Sequence, residues 1–178
     1  MVEHQVTVQN VLTKANQHCM ALMAYQRGVQ RDLQERITEE PTFESVDNAF
    51  VDAVQQVLDA LLSKDEDPLP EGGVKGIGEF TEAFGRESRS KNGEPSLKDL
   101  DLKQRVFKYR CSYLIQSPTF EQLQPALRKR VLRRLWRVLS DPSNDRRYAY
   151  LEPNERFAIR KIIGSTVKNL PPNWKTDR

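Results

Sequence analysis

Histidine and cysteine are the scarcest chemistry-bearing residues in this sequence, with two of each among 178 residues. Cys19 and Cys111 are too few for a disulfide framework, and they match no zinc or redox spacing. No CxxC, CxxCH or HExxH motif occurs, so the spacings used by structural zinc, haem attachment and zinc proteases are absent. His18 and Cys19 are adjacent, and on a helix they diverge by about 100°, too far to share one ion. His4 and His18 fall near one helical face but roughly 21 Å apart along the axis. No metal or cofactor is expected on these grounds. No apolar run approaches the ~18 residues that cross a bilayer, so no transmembrane segment is expected. No charged, apolar, small leader pattern opens the sequence, and no repeat of fixed period is present.

Charge is abundant: 30% of residues are Asp, Glu, Lys or Arg, and mean hydropathy is −0.68. Leu, Val, Ile and Phe still recur at regular spacing, which separates the chain from disordered sequences. The formal net charge of +3 conceals a split. Residues 1–95 hold 17 acidic against 9 basic side chains, a net −8, and residues 96–178 hold 19 basic against 8 acidic, a net +11. Two explanations follow. Either the acidic half packs beside the basic half and their fields cancel, or the basic half meets an anionic partner.

Helical periodicity dominates. From Glu3 to Ile37, Val8, Leu12, Ala15, Cys19, Leu22, Gln26, Val29 and Leu33 form a seam of alternating four- and three-residue steps, widened by Val11, Met23 and Ile37. Glu39-Glu40-Pro41 ends this helix, and Thr42 or Ser45 is placed to cap the next. Val46, Phe50, Ala53, Val54, Val57, Leu58, Leu61 and Leu62 draw its apolar face as far as Ser63. The two helices read as an acidic antiparallel hairpin over residues 1–63.

Residues 64–98 hold six of the eight glycines and read as a Gly/Pro-rich strap or linker, with Phe80 and Phe84 pinning it to the core. Residues 99–178 form the basic C-terminal helical subdomain. Ser96 to Asp99 is a passable helix cap, and short helices interrupted near Arg110 and Cys111 are expected through Ile115. Ser117-Pro118 opens a helical turn through Phe120 and Leu123. Pro125 starts a helix to Ser140, and Pro153 starts the last one, whose apolar positions are Phe157, Ile159, Ile162, Ile163 and Val167. Pro171-Pro172 closes it and leaves Trp174 in a tail. The expected class is all-α: a long antiparallel helical hairpin packed against a subdomain of shorter helices.

Residues Phe80 to Pro172 resemble the C-terminal region of large bacterial proteins of unknown function. Phe80 and Phe84, Ser96 to Leu102, Cys111 to Phe120, Arg133 to Leu139, Leu151 and Leu170-Pro171 carry the resemblance, and His4-Gln5-Val6 with Val8-Gln9-Asn10 resembles an internal stretch of such proteins. The sequence departs from their pattern at Arg110, where Pro is common, and at Glu152, where a Ser-type cap is usual. The resemblance implies an exported or periplasmic parent of which this chain is the terminal part; without it the chain reads as cytoplasmic. It implies no activity.

The most distinctive constellation lies on the helix opened by Pro125. Lys129, Arg130, Arg133, Arg134 and Arg137 share one arc, opposite Leu127, Val131, Leu135 and Val138. Such a stripe suits an anion: a phosphate backbone, an acidic protein surface or an anionic membrane. It equally suits intramolecular pairing with the acidic half, and no helix-turn-helix, zinc-finger or RNA-binding signature accompanies it. Cys111 with His18 as base is the only conceivable nucleophilic pair. Glu39-Glu40 and Asp65-Glu66-Asp67 read as solvated charge. Gly73 to Gly78 lacks the strand and the GK[ST] ending of a phosphate loop. The balance points to a structural or protein-interaction module, whose partner is its own upstream region or an oligomer partner. The alternative is an anion-binding module that uses the five cations of the basic helix for nucleic acid or an acidic surface.

Overall fold

The computed structural model describes residues 2–64, 66–75, 78, 94–141 and 145–175. Helix α1 spans Val2–Asp32 and α2 spans Glu44–Leu61. They pack together as a hairpin because α1 buries Val8, Leu12, Ala15, Cys19 and Met23 along one seam and α2 buries Val46, Phe50, Ala53, Val54, Val57, Leu58 and Leu61.

The α1 seam continues through Gln26, as its spacing predicts, and then through a second buried glutamine, Gln30, in place of Val29 and Leu33. Gln26 accepts from the backbone N–H of Thr42 (2.8 Å) and Phe43 (3.3 Å) and donates to Thr38 Oγ1 and the Glu40 carbonyl, both at 3.0 Å. Gln30 accepts from Thr38 N–H and donates to the hydroxyls of Thr38 and Thr42. The interhelical loop is therefore hung on two α1 side chains. Thr42 and Ser45 do not cap α2 as expected: its N-cap is Phe43, without a side-chain cap. Thr42 is committed to Gln26 and Gln30 instead.

Helix α1 ends at Asp32, earlier than its apolar spacing suggested, and Leu33 and Ile37 are exposed. The cause is a Schellman closure. Glu35 N–H donates to the Gln30 carbonyl and Gln34 N–H to that of Arg31, with Gln34 at φ 55°. Helix α2 closes in the same way. Lys64 N–H reaches the Asp59 carbonyl and Ser63 N–H that of Ala60, with Ser63 at φ 49°. Two carbonyls at this end of α2 gain distant donors as well, Leu61 from Ser112 N–H at 2.7 Å and Leu62 from the Tyr150 hydroxyl at 2.8 Å.

No helix forms between Ser96 and Ser112, where short helices were expected. Residues 99–108 fold back on themselves through an antiparallel bridge between Leu100 and Phe107, with Asp101 N–H donating to the Val106 carbonyl and Lys108 N–H to that of Asp99. The Ser96–Asp99 cap signal is spent on a local turn, in which Ser96 N–H donates to Asp99 Oδ2 and Lys98 N–H to Ser96 Oγ. The Pro/Gly segment lies along this hairpin, with Leu69 N–H donating to the Gln104 carbonyl and Val74 N–H to that of Leu102. Gly73 sits at φ +71°, and a Cβ there would meet the Leu102 carbonyl oxygen at 2.3 Å, so this close approach requires glycine. Phe80 and Phe84, the expected pins, lie outside the described residues.

The remaining helices follow their proline signals. A 3-10 turn at Tyr113–Gln116 leads into α3, Pro118–Glu121, which Ser117 caps by accepting from Phe120 N–H. Helix α4 spans Pro125–Ser140, and α5 spans Pro153–Thr166. Helix α2 lies between α1 and α4, and α5 packs on α4. A single hydrophobic cluster runs from Leu12 and Phe50 through Phe120, Leu127 and Leu135 to Ile159 and Ile163.

Two expectations in this half are corrected. Phe157 is 59% exposed, and the α5 face that meets α4 uses Arg156 in its place. The Arg156 guanidinium donates to the carbonyls of Leu151, Val138 and Tyr148. Trp174 is not in a free tail: it is 4% exposed, and its indole N–H donates to the Leu132 carbonyl at 3.2 Å.

Candidate anion-binding groove

Helix α4 is held rigidly at its start. Pro125 occupies the first turn, the Gln124 side chain accepts from Leu127 N–H, and Gln124 N–H donates to Asn16 Oδ1 of α1 at 2.7 Å. Ala126, Leu127, Val131, Leu132, Leu135, Val138 and Leu139 are buried, so the helix presents its arginine-rich arc outward beside α2.

Three of the five cations meet carboxylates. Lys129 lies 2.6 Å from Glu40, Arg130 lies 2.7 Å from Asp47 and 3.9 Å from Glu40, and Arg134 lies 3.1 Å from Asp145. Arg130 also sits 5.5 Å above the Phe50 ring centroid. Arg133 and Arg137 are exposed and make no ion pair with a described residue. The acidic half thus neutralises the Lys129/Arg130 end of the stripe, Asp145 takes Arg134, and Arg133 and Arg137 stay open. Such solvent-exposed pairs contribute about 0–1 kcal/mol each, so their main effect is on the local field rather than on stability.

All five cations line one groove of about 300 Å³, together with Glu40, Val51 and Val54. Arg134 and Arg137 also line an adjoining cavity of about 540 Å³ with Val138 and Asp145. Val51, on α2, is 48% exposed and supplies an apolar patch at the groove. Glu40, Asp47 and Asp145 border it; they come from the interhelical loop, α2 and the segment after α4, and Glu40 is 89 residues from Lys129. No local signal in the sequence connects them to the stripe.

Asp59, farther along α2, pairs outside the groove. Arg147 reaches it at 2.6–2.8 Å and the Tyr148 hydroxyl at 2.9 Å. Burial alone would raise its carboxyl, but the hydrogen bonds from Arg147 and Tyr148 and the guanidinium charge hold it below its ordinary value. Asp52 makes no ion pair with a described residue.

No family model, curated protein or solved structure matches this chain. Its chemistry is therefore read from its own geometry. Cys111 is buried, and burial, reinforced by the nearby Glu155 charge, pushes its thiol up to about 12. His18 is exposed on α1, so the pair considered for nucleophilic catalysis has neither an accessible nor an ionisable thiol. Cys19 is likewise buried, its thiol raised to about 11 by burial. Among the described residues, no group of three or more His, Cys, Asp or Glu is placed to hold a metal ion. No described helix is long and apolar enough to cross a membrane.

Proposed function

We propose that this chain is a non-catalytic helical interaction module that holds an acidic polypeptide segment in the groove between α2 and α4. The observation that carries this reading is the pair Arg133 and Arg137, one helical turn apart (about 6 Å along the axis), exposed and without an ion pair among the described residues. Two cations at that separation suit carboxylates two residues apart on an extended peptide, which share one face about 6–7 Å apart, and Val51 offers an apolar contact beside them. A nucleic-acid strand fits less well. An acidic segment can confine its two carboxylates to the open pair, whereas evenly spaced phosphates would have to pass Glu40 and Asp47 at one end and Asp145 at the other, where like charge opposes a continuous track.

The test is fluorescence anisotropy with a labelled Gly/Ser octapeptide that carries two glutamates two residues apart, at about 50 and about 300 mM salt. Binding at the lower salt that weakens at the higher is expected, with loss of binding in Arg133→Glu/Arg137→Glu and retention in Lys161→Glu, an exposed control on α5. Absence of binding at low salt, or equal loss in both variants, rejects the groove. A single-stranded oligonucleotide of equal charge that binds more tightly than the peptide would replace the acidic segment with nucleic acid as the ligand.

A further inference from the structure

We infer that the outer face of α1 is a self-association surface, on which a second copy of this chain docks its own α1 in antiparallel register. Residues 4–26 contain one charged side chain, Lys14, in a chain where 30% of residues are charged. Most of this stretch nevertheless faces water. Glu3, Val6, Asn10, Thr13, Gln17, Met20, Ala24, Arg27 and Arg31 follow alternating steps of three and four, a second seam about 140° around the helix from the buried one. All are exposed except Arg27, which is half-buried, donates Nε to the Met23 carbonyl and lies 3.8 Å from the exposed Glu39 of its own chain; Val6 is 51% and Met20 54% exposed.

A solvated helix face normally carries Glu, Lys and Arg. An uncharged seam of this length has nothing for a charged foreign partner to read, but it meets its own copy without repulsion. The ends of the seam set the direction. Glu3 closes one end, and Arg27 and Arg31 close the other. Parallel pairing would put like charges together at both ends. Antiparallel pairing about a two-fold axis sets Glu3 of one copy beside Arg27 of the second, Val6 beside Ala24, Asn10 beside Met20, and Thr13 beside Gln17. The alternation of layers is that of an antiparallel coiled coil, but with polar Asn10, Thr13 and Gln17 in its central layers, which lowers its stability.

The strip is about 35 Å long and one helix wide, roughly 350 Å² per copy. This is below the ~800 Å² per partner of a standard stable interface, so the dimer is weak and concentration-dependent. Sedimentation equilibrium of the full chain from about 5 to about 500 μM should show the average mass rising from 20.6 kDa toward twice that value. Thr13→Glu/Gln17→Glu sets four carboxylates around the two-fold axis and should raise the dissociation constant by about tenfold or more, with circular dichroism reporting unchanged helix content. Glu3→Lys should also weaken the dimer, and combining it with Arg27→Glu should restore it. A monomer at every concentration, or a dimer indifferent to Thr13→Glu/Gln17→Glu, overturns the surface. Failure of the Glu3→Lys/Arg27→Glu combination to recover association overturns the antiparallel register.

Discussion

Gln26 occupies a seam position where an apolar residue would ordinarily continue the core, and its amide satisfies four backbone or side-chain groups of the loop that follows. Replacing it by Leu keeps the volume but strands the N–H groups of Thr42 and Phe43, while the Glu40 carbonyl keeps the Thr38 hydroxyl. We expect Gln26→Leu to cost about 2–4 kcal/mol in denaturant unfolding, against less than about 0.5 kcal/mol for Gln56→Leu on the exposed face of α2. Arg156 poses the same problem with a charge. It is buried, and its guanidinium is satisfied by carbonyls rather than a carboxylate. Gln26 stands where the spacing of the seam puts it, whereas Arg156 occupies the face that spacing had assigned to Phe157. Which carbonyls and N–H groups they would serve depends on loops that no periodicity describes.

Among the elements, α2, α4 and the start of α5 were legible, because strong apolar periods coincide with Pro125 and Pro153 at first-turn positions, where the missing N–H costs nothing. The end of α1 was not. Its closure places Gln34, a non-glycine, in the left-handed region, and no Gly or Pro announces it. Left-handed backbone costs a non-glycine residue about 1–2 kcal/mol, partly offset by the greater entropy of glycine in the unfolded chain. Gln34→Gly should therefore stabilise the protein by about 0.5–1 kcal/mol, read as a rise in the urea midpoint without a change in slope. Residues 99–108 failed for a different reason. Leu100, Leu102, Val106 and Phe107 mimic a helical period, but backbone pairing with each other and with Leu69 and Val74 provides the alternative hydrogen bonds. That pairing requires the close approach at Gly73, about thirty residues upstream.

Across the described residues, the opposite charges of the two halves meet at Glu40 with Lys129, Asp47 with Arg130 and Asp59 with Arg147. Asp59 is held below its ordinary carboxyl value of 3.8. Its contribution to stability is accordingly complete above that value and is lost as pH falls through the lower value it has in the folded state. The difference in unfolding free energy between the wild type and Asp59→Asn should shrink as pH is lowered from about 6 to about 2, and at neutral pH it should be on the order of 1 kcal/mol because Arg147 is partly exposed. An unchanged difference across that range would remove Asp59 from the acid sensitivity. The sequence by itself determined the helical class, the proline-marked starts of α3, α4 and α5, the arginine arc and the charge asymmetry, because each is encoded within a few turns of chain. Only the tertiary structure decided which cations are neutralised, that Trp174 and Arg156 are buried, and that Arg133 and Arg137 stay open beside Val51. Those outcomes depend on how α2 seats against α4, bringing together residues as far apart in sequence as Glu40 and Lys129, 89 positions, where side-chain packing rather than local propensity sets the partners.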